Sequence, residues 1–283
     1  MPIRPDQCRP DQLPQSNLGP QCSNTDLQSQ LFGYLVAGHD TAATTLGWSL
    51  KFTADNPAAQ ATLRRQLRAA YPNAVAENRS PSAEEIADAN KHPVPYLEAY
   101  VEECLRIART ASVNIRVATQ DTTVLGHALP KGTAVMMSRI GPSFMGPRVE
   151  VDDKLRSPGA RAAKAKEAWD ESTLHLFEPG RFLRGHEAYG GALDSSGDAR
   201  AEGKYGEFDD YEFDPHGAPF LSFSVGPRSC FGRRLAYLEL RMVIALLIWN
   251  FEFLPVAPEL NSYHAIDALV SRPKQCYVKL RKL

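Results

Sequence analysis

Apolar residues recur at helical spacing from Leu27 onward, with Leu31, Tyr34, Leu35, Gly38 and Ala42 at i, i+3, i+4, i+7 and i+11 along one face. That pattern predicts a long helix from residue 27 to about residue 53. The pattern restarts at Asp55-Asn56-Pro57, where asparagine is a favoured helix cap and proline a favoured first helical residue. A second helix therefore opens there, with Leu63, Leu67 and Ala70 sharing a face. Ser82 and Glu85 have the spacing of a capping box, which predicts a third, short helix. Pro93 and Pro95 then break the chain, and Leu97, Val101, Cys104, Leu105 and Ala108 mark a fourth.

The period shortens over residues 114–137, where β-branched and apolar residues are interrupted by Gly126, Pro130 and Gly132. This stretch reads as short strands joined by tight turns. Two polar stretches, at about 148–166 and about 185–215, offer charges and glycines but few apolar anchors, so surface loops are expected. A strongly apolar helix follows over 235–251, and CYVKL at 276–280 is strand-like. With no internal repeat, the fold class is mainly α with a small β component.

Composition narrows the function. The 283 residues can bury a sizeable core, and 43% hydrophobic with 23% charged residues is the make-up of a soluble globular protein. A formal charge of −1 gives no basicity with which to attract nucleic acid or an acidic membrane surface. The longest apolar run, 242–249, is too short to span a bilayer. Residues 1–26 read as a disordered polar lead-in without the apolar core of a signal peptide or anchor, and 27–283 as the folded part. A cytoplasmic or peripheral-membrane location is the expectation.

Cys8, Cys22, Cys104, Cys230 and Cys276 have no paired spacing, which argues against a disulfide framework or a zinc site. A lone cysteine is usually a small buried hydrophobe, and Cys104 reads that way. Cys230 has a different context. Phe223, Gly226, Arg228, Cys230 and Gly232 spell F-x-x-G-x-R-x-C-x-G, a coincidence expected on the order of once in ten thousand chains or less.

This segment resembles the proximal haem-binding loop of the cytochrome P450 family, whose matching cysteine is the thiolate ligand of the haem iron. A thiolate pushes electron density onto iron and favours cleavage of an O–O bond on the opposite face. Glycines at 226 and 232 let the backbone turn tightly under a flat ring, and amides at the start of the next helix can point at the sulfur. By the resemblance, Phe223 shields the haem near the thiolate and Arg228 pairs with a haem propionate. Arg116 stands where the family often has a second propionate-binding arginine, although a solvated strand arginine fits the residues equally well.

Three further segments match in order. Ala37-Gly38-His39-Asp40-Thr41 resembles the oxygen-binding groove of the long distal helix, where Gly38 relaxes the helix for dioxygen and Asp40 and Thr41 organise proton delivery. His39 carries no assigned role. Glu103 and Arg106 form E-x-x-R, and Arg181, in Phe177-Glu178-Pro179-Gly180-Arg181-Phe182, resembles the family's third member of a buried glutamate and two-arginine network. Gly180 departs from the pattern, since an acid is common there. Residues 111–115 and 265–269, small or apolar, would line a substrate pocket.

The resemblance implies a truncated cytochrome P450 fold, its haem-proximal half, carrying haem b (iron protoporphyrin IX). It implies insertion of one atom of dioxygen into a lipophilic substrate, with electrons from a separate electron-donor reductase because no flavin or dinucleotide fingerprint appears. Full-length eukaryotic relatives are often held at the endoplasmic reticulum membrane. The expected missing N-terminal helices make activity of this chain doubtful. A non-catalytic remnant or interaction protein, and a haem-thiolate isomerase or dehydratase, remain as alternatives; Asp40-Thr41 argues against the second.

Overall fold

In the computed structural model, residues 24–164, 169–184 and 211–283 are described, in two units, Met1–His39 and Asp40–Leu283. Helix α1 (Asn24–Asp55) begins three residues before the expected start, so residues 24–26 of the expected lead-in are helical. The rest of that lead-in lies outside the described residues. α1 runs unbroken through Gly38, Asp40 and Thr41. In the first unit Leu31, Phe32, Tyr34 and Leu35 are exposed.

The second unit is built on four helical segments. The C-terminal part of α1, α2 (Pro57–Ala70), α5 (Pro95–Ala108) and α7 (Arg233–Asn250) bury Trp48, Phe52, Leu63, Leu67, Leu97, Tyr100, Val101, Leu240, Ile244 and Ile248 in one cluster. α5 is buried on nearly every side, which is why acids and bases on it must be paired rather than solvated. Cys104 is fully buried in that cluster, and burial pushes its thiol well up, the behaviour of an inert packing residue.

Pro57 occupies the first turn of α2, but Asn56 supplies no side-chain cap. Its Nδ2 instead donates to the Phe52 carbonyl at 2.8 Å, satisfying the end of α1. The Ser82–Glu85 capping box is complete at the start of α4 (Ala83–Ala87), with Glu85 N donating to Ser82 Oγ at 3.2 Å and Ser82 N to Glu85 Oε2 at 2.7 Å. Between them a short α3 (Pro72–Ala76) follows Tyr71, which the periodicity did not separate from α2.

The expected small sheet is a set of two-stranded ribbons. β1 (Val113–Val117) pairs antiparallel with β4 (Ala134–Ser138), and β2 (Thr122–Val124) with β3 (His127–Leu129). The β2–β3 turn places Leu125 at φ 48° and Gly126 at φ 83°, the doubly left-handed geometry of a tight hairpin. The 148–166 stretch is not all loop: α6 (Pro158–Lys164) forms there, its Ala160 amide donating to Ser157 Oγ at 3.2 Å. Ser157-Pro158 ahead of an alanine-rich run is a helix start that charge and glycine content masked.

Of the second polar stretch, 185–210 lies outside the described residues, while β6 (Glu212–Phe213) pairs with β5 (Leu183–Arg184). Gly217, just beyond, approaches so closely that an added Cβ would lie 1.8 Å from the Arg181 carbonyl oxygen, so only glycine fits against that backbone. α7 stops at Asn250, and Phe251 opens β7 (Phe251–Leu254), which pairs with β10 (Lys279–Lys282). A last ribbon joins β8 (Ala265–Asp267) to β9 (Ser271–Pro273). Among the described residues no helix is long and apolar enough to cross a membrane.

Candidate functional site

The loop before α7 is a stack of tight turns. Ser224 and Gly226 take positive φ, 57° and 76°, and Ser224 N, Ser229 N and Cys230 N donate to Leu221 O, Gly226 O and Phe223 O at 2.9, 3.0 and 2.8 Å. Ser222 Oγ ties the loop to α5 by donating to Leu105 O at 2.9 Å. The result is a rigid shelf that presents the exposed Cys230. Gly232 caps α7, and a Cβ added to it would sit 4.0 Å from Cys230 Sγ, so the sulfur lies beside the helix start, where the dipole favours an anion. Phe223 is half-buried, its ring 5.2 Å from Tyr237 and 6.4 Å from Phe220, with the Arg233 guanidinium 5.7 Å from its centre.

Cys230, Arg228 and Phe223 line one cavity of about 270 Å³ together with Thr41, Thr45, Thr110, Ala111 and Asn114. That volume is at the low end of small-molecule sites, roughly 300–1,000 Å³, so it would enclose only part of a disc the size of a porphyrin. Its chemistry does suit haem. It offers an exposed thiol, three arginines besides Arg106, and, among the described residues, no aspartate or glutamate in its lining. Arg139 on its wall also has a buried Nε without a hydrogen-bond partner among those residues.

The expected site residues do not all meet. Thr41 is half-buried on the cavity wall, and Thr45 Oγ1 donates to its carbonyl at 2.9 Å while lying 2.9 Å from Thr110 Oγ1. Asp40, exposed on the same helix, is not among the lining residues. Gly38 lies in the first unit, where an added Cβ meets nothing within 4 Å. Arg116 shares a ribbon face with Asn114 by the two-residue period but is exposed, its Nη1 donating to Ile115 O at 2.9 Å, and it is not among the lining residues. Of the expected substrate segments Ala111 and Asn114 line the cavity, whereas 265–269 is exposed and contributes nothing to it.

Glu103, Arg106 and Arg181 are brought together behind the cavity. Glu103 accepts from Arg106 Nε at 2.7 Å and Nη2 at 3.0 Å, from Arg181 Nε at 3.1 Å and from the Glu178 amide at 2.8 Å. Gly180, the departure from the family pattern, is buried beside Arg181, whose Nη2 also pairs with Glu178 at 3.2 Å.

Sequence reasoning missed Arg109 and Arg139 on the cavity wall, and Glu102 behind Phe223. Glu102 is buried and accepts a hydrogen bond from Tyr237. Burial pushes its carboxyl up to about 7, with Tyr237 and Arg233 pulling the other way and Glu98 adding to the rise. Between about 4.5 and 7 the folded state therefore holds a proton that the unfolded chain has released, so stability falls as pH rises through that window. Glu102→Gln keeps an acceptor for Tyr237 and removes this titration. Urea midpoints at pH 5 and pH 8 are expected to show the wild type losing about 3 kcal/mol more than the variant over this range. Parallel losses in both would show that the carboxyl does not titrate there.

The Cytochrome P450 family profile matches residues 11–141 and 165–280. A cytochrome P450 monooxygenase of Fusarium sporotrichioides, TRI13, is 40% identical over 269 residues, 94% of this chain and 44% of that protein. The Hps1-dma1 cluster cytochrome P450 monooxygenase cyp3.1 of Dothistroma septosporum is 34% identical over 275 residues, 95% of this chain and 82% of that protein. The chain thus spans under half of the first relative and most of the second. A crystal structure of a cytochrome P450, 23% identical, superposes with a TM-score of 0.60 over 92% of this chain and 46% of that one, which shows the shared fold. With a profile match along most of its length and relatives at this identity, the chain belongs to the cytochrome P450 family.

Proposed function

We propose that the chain is a haem-thiolate monooxygenase component that inserts one oxygen atom of dioxygen into a lipophilic organic substrate, with electrons delivered by a separate reductase. The observation that carries this reading is Cys230, an exposed thiol on a rigid glycine-turned loop, beside the start of α7 and at the wall of a cavity shared with Thr41. When bound, haem b supplies dioxygen activation and oxygen-atom transfer.

The chain's own residues do the rest. Cys230 Sγ, as thiolate, would be the protein's ligand to the iron. Gly226 and Gly232 would let the backbone pass close to the bound ring, Phe223 would pack beside the sulfur, and Arg228 on the cavity wall would pair with a carboxylate of the cofactor, with Arg116 able to reach a second only from outside the lining. Thr41 holds a hydroxyl at the cavity wall, and Asp40, exposed on the same helix, exchanges protons with solvent for it. Gly38 leaves the adjoining turn without a side chain. Ala111 supplies a small apolar surface for substrate. Glu103, Arg106 and Arg181 fix α5 and the 171–182 segment behind the site.

A second reading, a haem-binding chain that does not turn over by itself, draws support from Val225 at 71%, Phe231 at 85% and Leu235 at 56% exposure around the loop, apolar groups left to water. One experiment separates the two. The haem-loaded chain is supplied with a reductase and a panel of lipophilic substrates, and product is counted against reductant consumed. The proposal predicts oxygen-dependent product, with Thr41→Ala diverting most of the reductant to peroxide or water. Haem binding without product from any substrate favours the second reading, and unchanged coupling in Thr41→Ala removes the proton-delivery role.

A further inference from the structure

Behind the Cys230 loop lies an acid that the chemistry proposed above leaves unused. Glu102 is buried on α5, three residues before Leu105 and hence on the same helix face, and the Leu105 carbonyl accepts Ser222 Oγ of the loop at 2.9 Å. Tyr237 of α7 donates its hydroxyl to Glu102. The Tyr237 ring lies 5.2 Å from that of Phe223, and the Arg233 guanidinium sits 5.4 Å from the first ring and 5.7 Å from the second. Phe223 in turn accepts the Cys230 amide at 2.8 Å and lines the cavity with Cys230. Acid, phenol, guanidinium and phenylalanine thus form one continuous chain of contacts from α5 to the loop.

The charges that bear on Glu102 are few. Tyr237 and Arg233 face it from α7 and Glu98 from the preceding turn of α5, with Arg241 2.8 Å from Glu98. Other charged groups on the elements packed against α5 are committed elsewhere: Arg106 and Arg181 to Glu103, and Arg64 of α2 to the Ile248 and Phe251 carbonyls. Burial pushes the Tyr237 phenol well up, so it keeps its proton and remains the donor. Burial also raises the Glu102 carboxyl from the ordinary 4.5 to about 7. Any opening that lets water reach Glu102 therefore releases a proton between those values, and opening becomes easier as pH rises through that interval. Above about 7 the carboxyl is ionised in both states and the dependence ends.

We infer that Glu102 is a positioning residue for the Cys230 loop: dry and protonated under Tyr237, it holds Phe223 and the loop against α5, and hydrated and ionised, it lets them part. The bearing of this on function rests on the reading proposed above. The loop motion itself does not, and it is measured without haem, so the two readings fail separately.

The measurement is amide hydrogen exchange of the haem-free full chain at pH 5 and pH 8, expressed as protection factors so that the intrinsic pH dependence of exchange cancels. The Ser224, Ser229 and Cys230 amides, each hydrogen-bonded within the loop, report its opening, while Tyr100 and Val101 in the buried middle of α5 report global unfolding. Loop protection is expected to lie below that of α5 and to fall by about tenfold or more from pH 5 to pH 8, since each pKa unit between closed and open states is tenfold. In Glu102→Gln, which keeps an acceptor for Tyr237 but has no proton to lose, the fall is expected to shrink to less than about twofold. Tyr237→Phe, which keeps the ring and removes the hydroxyl, is expected to lower loop protection at both pH values. Loop protection that is flat with pH in the wild type, that equals α5 protection throughout, or that falls equally in Glu102→Gln overturns the inference, as does a Tyr237→Phe loop as protected as that of the wild type. Should Glu102→Gln fail to fold, the wild type and Tyr237→Phe decide by the same criteria.

Discussion

Glu103→Ala is expected to lower the stability of the folded chain by about 3–5 kcal/mol, a large share of the roughly 5–15 kcal/mol total typical of a domain. Glu103 has no exposed surface, and its two oxygens take four hydrogen bonds, three from guanidiniums and one from the Glu178 amide. Without it, Arg106 keeps only the Phe144 and Leu176 carbonyls, Arg181 keeps Thr173, Leu176 and the partly exposed Glu178 carboxylate, and two buried positive charges share that single acid. The arginines also fix segments far apart in sequence to α5, so the loss extends to the wall that carries the cavity. Urea unfolding and haem retention are the measurements, with exposed Glu84→Ala as control, expected to lie within about 0.5 kcal/mol of wild type. Equal losses for the two variants would reduce the network to an ordinary surface pair.

What was legible in the sequence is what is encoded locally. The Ser82–Glu85 box, the proline starts of α2 and α5 and the apolar stripe of α7 each depend on residues within a turn or two of one another. The Cys230 loop is legible for the same reason, since its glycines, its cysteine and the following helix are contiguous. The Glu103–Arg181 contact spans 78 positions, and only the family pattern, not periodicity, joined its parts.

Arg139 had no such pattern. Its place on the cavity wall is set by two carbonyls more than 80 positions later, which a strand-end arginine does not announce. Arg116 was singled out because its place along the chain matches the family. Its position in the ribbon puts it on the face of Asn114 but beyond the cavity lining, a difference of one pleat that spacing alone does not resolve. α6 was missed because its charges suggested solvent, whereas alanines between them favour helix.

Cys230→Ser is expected to have the most complete effect of any single change, because a hydroxyl is a far weaker acid than a thiol, stays protonated and does not replace a thiolate on iron. The exposed Cys276 provides a matched control. Its Sγ donates to Gly47 O at 3.2 Å, outside the cavity, and burial raises its pKa, so it is poorly suited to ligate. The direct measurement is the carbon monoxide difference spectrum of the reduced, haem-loaded chain, in which thiolate ligation gives a characteristic red-shifted band. Wild type and Cys276→Ser are predicted to show that band and Cys230→Ser to lack it; a band that survives in Cys230→Ser would contradict the assignment of Cys230 as the haem ligand.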